Sequence, residues 1–458
     1  MDEDRKTEST KDDRHFTRGA VLDNIEALII AVVLALTLRC FVVEAFAIPT
    51  GSMAPTLYGN HVNVVCPNCG TKYAVGEVSA RALRDVHCPN CGERASVPDA
   101  SRLYGGDRIL VNKVLYRFEE PKRWDPFVFV NPHIEKDDRP PKTTFIKRLI
   151  GLPGETLEIV RGDIIIDGQV QRKTRAARRS LWMHVYDSHR PWGEARAWLT
   201  DEEGNWTRTD DVLSVDAGTV EKVTYADFAG LAGDRRIRDH YGYNTRLGRN
   251  MVTDVRVRLE VKSRGKGSLV LALPEDEHDL TLVLTGQGSE TSSRVMLDEK
   301  VLKELDVELE DDRSTSVEFA RADFLVTVKV AGKEVFRRDF WTGEVYDELV
   351  RLGRAGQLKG HSRGGVRIGV ERLHAEFSRI RIDRDIYYGA DVPSQIEGVR
   401  VLPNYLGEIV LKSDEFVAMG DNSPQSSDSR YWGPVKREKL IGKAMGVWWY
   451  PTRIRVIQ

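Results

Sequence analysis

The sequence predicts a mainly β protein. It has a β core behind one N-terminal transmembrane helix, and that core is interrupted by a small cysteine ribbon and a larger jelly-roll-like β-sandwich. Three observations carry this. The longest apolar run, "VLDNIEALIIAVVLALTLRCFVVEAF", ends by residue 46, and no second run of that length follows. Beyond it, apolar and polar residues alternate between Gly- and Asp-containing turns, which is the period of strands. Two copies of "CPNCG" stand between the apolar run and the first of those strands. With 41% hydrophobic and 30% charged residues in 458, the chain has material for two to four folding units. Its net charge of -2 gives no electrostatic case for nucleic acid as a partner.

Residues 1–20 mix both charges without an apolar period and read as a disordered cytoplasmic tail. Residues 21–45 read as the membrane span. The uncharged centre, 27–38, is shorter than the roughly 20 residues a crossing needs, and the flanks supply the rest. Glu26 and Arg39 fall near opposite ends, where long side chains reach the headgroups. Arg14 and Arg18 before the span and Glu44 after it favour an inside N-terminus, with the remaining chain outside. A cleaved signal peptide and a buried core helix are the alternatives, and no small-x-small cleavage site follows the run.

The core is read in three pieces, 46–58, 103–171 and 395–458. In the second, "TLEIV" and "DIIIDGQVQ" read as successive hairpins turning at Arg161 and Gly162 and at Asp167 and Gly168. Residues 59–102 carry Cys66, Cys69, Cys88 and Cys91 as C-x2-C-x18-C-x2-C, the spacing of a four-thiolate zinc site. Each proline shapes a tight knuckle, and each glycine lets backbone N–H groups face sulfur. Four ligands leave no open position, so such a zinc is structural. Two disulfides are the rival, because this side of the membrane can be oxidising. Cys40 reads as a membrane-facing apolar residue. Residues 172–394 far exceed a loop and alternate like strands with one solvated face, which predicts the sandwich. A glycan or protein ligand, or a spacer role, is open there, with no ligand residue assigned.

Chemistry centres on "FAIPTGSMAPTLYG", where prolines bracket Ser52 just beyond the apolar run. A serine hydroxyl is a poor nucleophile until a base takes its proton. The histidines stand in no motif-like context. Lys147 lies in "TTFIKRLIGLPGE", where strand alternation puts it on one apolar face with Phe145 and Leu149 and sends Arg148 to the other. Burial there disfavours the ammonium form and brings the amine towards neutrality. The plain alternatives are a turn serine and a lysine emerging into solvent.

Four stretches in order, "IPTGSMAPTL", "GDRILVNK", "FIKRLIGLPGE" and "GDNSPQSSDSRYWG", resemble the motif boxes of type I signal peptidases, which also follow an N-terminal span. The resemblance covers well under half of the chain. It implies a membrane-bound serine endopeptidase of the bacterial cytoplasmic membrane, single-pass, with its catalytic part outside. The partners it implies are membrane-inserted precursor proteins and the lipid bilayer. No cofactor for catalysis is implied.

Position by position, the resemblance makes Ser52 the acylating nucleophile and Lys147 its general base. Thr50 becomes an oxyanion donor beside the Ser52 backbone N–H, and Ser426 the hydroxyl that orients the lysine amine. Asp428 and Arg430 become a structural ion pair near the site, with Asp421 and Asn422 as scaffold. Phe145 stands where many relatives have tyrosine. Two other readings stay open: a self-processing Ser/Lys peptidase, and a membrane-anchored binding protein on a vestigial peptidase scaffold.

Overall fold

The computed structural model describes residues 18–37, 42–97, 103–131, 144–190, 197–244, 248–275, 278–358, 365–390, 395–448 and 454–457. The chain is mainly β, as its alternating patterns demand.

The first element is a helix, Arg18–Thr37, about 30 Å long at 1.5 Å per residue. Ile25, Leu28, Ile29, Ile30, Val32, Val33, Leu34 and Leu36 on it are all exposed. One continuous helix over 21–45 is not what forms. The helix starts inside the expected tail and ends at Thr37, and Val43–Ala47 is a strand. That strand finds a partner: it pairs antiparallel with Arg108–Asn112 over five residues, from Val43 opposite Asn112 to Ala47 opposite Arg108. Ladder hydrogen bonds there replace those a longer helix would make. Among the described residues, no helix is long and apolar enough to cross a membrane. Arg39, Cys40 and residues 1–17 lie outside the described residues.

The central sheet has eight strands drawn from distant parts of the chain. Seven run in the order Val43–Ala47, Arg108–Asn112, Leu440–Val447, Pro126–Val130, Thr144–Gly151, Glu415–Met419, Val435–Lys436, and Arg455–Val456 joins Leu440–Val447. Two apolar layers hold it. Ile48, Met53, Leu57, Ile109, Val111 and Ile146 form one, and Phe127, Phe129, Leu149, Phe416 and Val435 form the other. A five-stranded sheet joins Thr156–Val160, Asp163–Ile166 and Gln169–Val170 to Tyr405–Val410 and Val401–Leu402.

The four cysteines cap two short hairpins, His61–Val65 with Lys72–Gly76 and Asp85–His87 with Arg94–Ser96. A short helix, Glu77–Ala82, links them.

From Met183 to Arg384 the strands assemble two antiparallel sheets of eight and seven strands. Residues 255–264 alternate buried and half-buried or exposed without a break, the period of a sheet with one covered face. Leu259, Val261 and Phe319 from one sheet meet Leu271, Leu282 and Val370 from the other in a single core, and Val62, Val64, Val75 and Val86 of the cysteine hairpins extend it. Helix Gly343–Arg354 returns to the five-stranded sheet, where the hydroxyls of Tyr346 and Tyr405 both donate to Glu158 at 2.8 and 2.7 Å.

Candidate active site

Strand Val43–Ala47 delivers the chain to a loop closed at its stem. Ile48 N–H donates to the Asp107 carbonyl, Asn60 N–H to that of Pro49, and Tyr58 N–H to the Asp107 carboxylate at 2.8 Å. Turns within the loop are tied by Ala54 N–H to Gly51 and Leu57 N–H to Met53. Met53, Ala54 and Leu57 have no exposed surface. The apolar residues that flank Ser52 in sequence therefore plug the loop into the core and fix where its hydroxyl sits.

Lys147 reaches that hydroxyl from the centre of the sheet. Its strand, Thr144–Gly151, lies between Pro126–Val130, with Phe127 opposite Lys147, and Glu415–Met419. With both edges paired and both faces covered, its side chain is only 4% exposed. Lys147 Nζ donates to Ser52 Oγ at 2.6 Å. The Phe145 ring stands beside the amine, its centroid 5.5 Å from Nζ. Burial pushes the Lys147 amine down to about 8, with Arg430 adding to the effect and Asp428 and Asp421 opposing it. Such a group can shed its proton near neutrality and take another from a hydroxyl 2.6 Å away.

The 420–430 loop packs against the serine from the other side. Asn422 N–H donates to the Ser52 carbonyl and Asn422 Nδ2 to the Gly51 carbonyl, each at 2.9 Å. Gly420 has no room for a side chain: a Cβ there would stand 2.2 Å from Ser426 Oγ and 2.4 Å from the Ser52 carbonyl oxygen. Asp428 and Arg430 form a two-point ion pair, Nε to Oδ1 at 2.9 Å and Nη2 to Oδ2 at 2.7 Å, with no exposure on either side chain. Burial works against the Asp428 carboxylate, but the Arg430 guanidinium outweighs it and holds that group below its ordinary range.

Two of the expected site residues make no contact of the expected kind. Among the described residues Ser426 Oγ makes no bond to Lys147, so the contact that the resemblance implies is not formed; the buried hydroxyl instead stands by the Asp428 carboxylate and helps hold that group low. The Thr50 side chain is exposed, at the rim of the loop. Among the described residues the Ser52 N–H donates to nothing.

Three site residues were missed from sequence. Arg148 makes a two-point bond to Asp421, Nε to Oδ1 at 2.8 Å and Nη2 to Oδ2 at 2.7 Å, and donates to the Trp124 carbonyl. A second cation inside so apolar a strand was the available signal for a buried acid partner. Tyr243 and Asn244 reach the Ser52 loop from the 172–394 segment, and nothing in their local sequence announces it.

The four cysteines converge. Their sulfurs all lie within 4.8 Å of one another, with Cys66 to Cys91 at 3.5 Å and Cys69 to Cys88 at 3.6 Å. A disulfide needs about 2.05 Å, whereas tetrahedral zinc at about 2.3 Å per Zn–S bond sets sulfurs about 3.8 Å apart. Each knuckle turns on a left-handed glycine, Gly70 at φ 66° and Gly92 at φ 73°. Cys88 Sγ accepts from Asn90 N–H at 3.4 Å. The donor set and its spacing fit zinc.

Comparison with known proteins covers part of this site. The family model "Signal peptidase, peptidase S26" matches residues 96–220 and 369–449. The chain is 31% identical over 150 residues to a signal peptidase I of Leptolyngbya laminosa, covering 32% of this chain and 51% of that protein. It is also 31% identical over 150 residues to a probable signal peptidase I-1 of a Synechocystis strain, covering 32% and 53%.

Over the matched stretches the chain is similar to the type I signal peptidases.

The chain spans about half the length of these two curated relatives. The family match contains Lys147, Ser426, Asp428 and Arg430, begins after Ser52 and the cysteines, and leaves 221–368 unmatched. Among solved structures, the carbohydrate-binding module CBM66 from Bacillus subtilis aligns with 42% of this chain and 97% of its own, at 10% identity and a TM-score of 0.28. A score that low carries no argument about this chain.

Proposed function

We propose that the protein is a membrane-anchored serine endopeptidase that removes signal peptides from exported precursors. The observation that carries this is the 2.6 Å contact between Lys147 Nζ and Ser52 Oγ, made by an amine that burial has moved towards neutrality.

With Lys147 deprotonated, the Ser52 Oγ–H donates to Nζ at that same distance. Oγ attacks the scissile carbonyl carbon while its proton passes to the amine. The oxyanion is held by the Ser52 N–H, which donates to nothing else among the described residues, and by the exposed Thr50 hydroxyl. Collapse breaks the C–N bond, and the Lys147 ammonium returns the proton to the leaving amine. Water then hydrolyses the acyl ester by the same route, with Lys147 again the base. Ser426, buried beside Gly420, is the hydroxyl that would steady the ammonium once it forms. The buried pairs Asp428–Arg430 and Asp421–Arg148 keep that loop rigid around the amine.

The exposed apolar helix Arg18–Thr37 and its flanks serve as the membrane anchor, since no described part of the protein covers Leu28, Ile29, Val33 or Leu36. Ser52 follows closely, so its loop stands at the bilayer surface where a membrane-inserted precursor emerges. Residues 46–58, 103–171 and 395–458 form the catalytic core, 59–102 a ribbon and 172–394 a sandwich inserted into it. Cys66, Cys69, Cys88 and Cys91 would hold a structural zinc that cross-links the two hairpins.

Cleavage of an exported precursor, with the new N-terminus sequenced, tests the proposal. The wild type should cut behind small residues at the first and third positions before the bond, and Ser52→Ala should not cut. Equal cutting by Ser52→Ala contradicts the proposal.

A further inference from the structure

Among the described residues, Tyr243 and Asn244 of the sandwich segment reach the serine loop. The Tyr243 ring packs hard against the loop: a Cβ on Gly51, the residue before the serine, would stand 1.9 Å from Tyr243 Cε1, and one on Gly76 of the cysteine hairpin 2.3 Å from it. The same ring stacks on Tyr58, centroids 5.8 Å apart and planes at 22°. Its hydroxyl donates to the Asn60 carbonyl at 2.9 Å, and its carbonyl accepts from Gly76 N–H at 3.0 Å.

The next residue completes the contact. Asn244 Nδ2 donates to Asn422 Oδ1 at 2.6 Å, and Asn422 Nδ2 donates back to Asn244 Oδ1 at 2.7 Å. Both side chains are buried. Asn422 is the residue whose backbone and side chain hold the Ser52 and Gly51 carbonyls. A reciprocal amide pair fixes both planes at once, so Asn244 decides which way Asn422 presents its donors. The serine is then held through two contacts, by a ring against Gly51 and by the amide pair on Asn422.

We propose that Tyr243 and Asn244 are positioning residues for Ser52, so that the sandwich segment is a working part of the catalytic site rather than a spacer. This rests on the peptidase reading above for its activity readout. A displacement of about 1 Å between a nucleophile and its base lowers a rate on the order of a hundredfold, which is the scale at stake.

The test uses the full chain and the variants Asn244→Ala, Asn422→Ala, the double variant, Tyr243→Phe and Tyr243→Ala, each checked for folding by its melting profile. Asn244→Ala and Tyr243→Ala should lower kcat about tenfold to a hundredfold with little change in KM. Tyr243→Phe, which keeps the ring, should stay near the wild type. Because Asn244 acts through Asn422, the double variant should be no slower than Asn422→Ala alone. Asn244→Asp, of the same shape, replaces Asn244→Ala if the latter does not fold.

A second readout needs no peptidase activity. In Ser52→Cys, the pH midpoint of alkylation by iodoacetamide reports how closely Lys147 supports the thiolate. Adding Asn244→Ala should move that midpoint up. If it moves while the wild type cuts no precursor, the peptidase reading fails and the positioning role stands. Folded Asn244 and Tyr243 variants with unchanged kcat and unchanged midpoint overturn the proposal.

Discussion

Arg148 and Asp421 meet through two hydrogen bonds with neither side chain exposed, one residue along the strand from Lys147. Burial disfavours the charged guanidinium, but Asp421 outweighs it, and the Arg148 pKa lies above its ordinary value. The pair fixes the start of the 420–430 loop to the lysine strand. Asp421→Ala leaves a buried cation with no counter-charge and should destabilise the fold by about 3–5 kcal/mol. Denaturant unfolding of the two proteins measures it, and a loss under about 1 kcal/mol contradicts the structural role.

The lowered pKa of Lys147 sets the pH profile. The catalytic species is the free amine, so kcat/KM should rise about tenfold per pH unit below a limb near 8 and level off above it. The same shift has a stability sign. The folded pKa lies below the unfolded value, so between about 8 and 10.5 the unfolded chain binds the extra proton and stability rises with pH. A rate that falls as pH climbs through 8 contradicts this. Lys147→Arg keeps the charge but cannot lose its proton near neutrality to act as base, and should cost at least about 10³-fold in kcat.

Thr50 offers a separable contribution. Thr50→Val keeps the shape and removes the hydroxyl, which should cost about 2.7–4 kcal/mol of transition-state stabilisation, read mainly in kcat. Thr50→Ser should restore most of it. Equal rates for the valine and serine variants would remove Thr50 from the oxyanion site.

For the ribbon, metal analysis of purified protein should find about one zinc per chain, and a chelator should lower the melting temperature while a reductant alone does not. Zinc-free protein with two disulfides, destabilised by reductant, would show the opposite.

Much of this was legible in the residues because short-range rules governed it. The turns at Arg161–Gly162 and Asp167–Gly168 stand where two strands reverse. Alternation also put Lys147 on an apolar face and Arg148 opposite. The four cysteines meet as their spacing requires. What failed was decided by partners far away in sequence. Residues 43–45 look helical after so long an apolar run, yet Arg108–Asn112, some 65 residues on, draws them into a sheet. Asn244 and Asn422 are 178 positions apart, and a polar residue in a loop gives no sign of its partner. Ser426 comes from the motif alone, and among the described residues its hydroxyl makes no bond to Lys147.

Anchoring can be tested without touching the site. A chain beginning at residue 42 keeps strand Val43–Ala47 and loses the exposed apolar helix. It should leave the membrane fraction on flotation and still cut a soluble precursor peptide. Continued membrane binding contradicts the anchor.

The most direct measurement is capture of the covalent intermediate. Wild-type protein mixed with a precursor peptide and quenched in acid within the first turnover should carry one acyl group on the peptide containing Ser52, read by mass spectrometry. Lys147→Ala should carry almost none. An acyl group elsewhere, or an equal yield from Lys147→Ala, contradicts the pairing of this serine with this lysine.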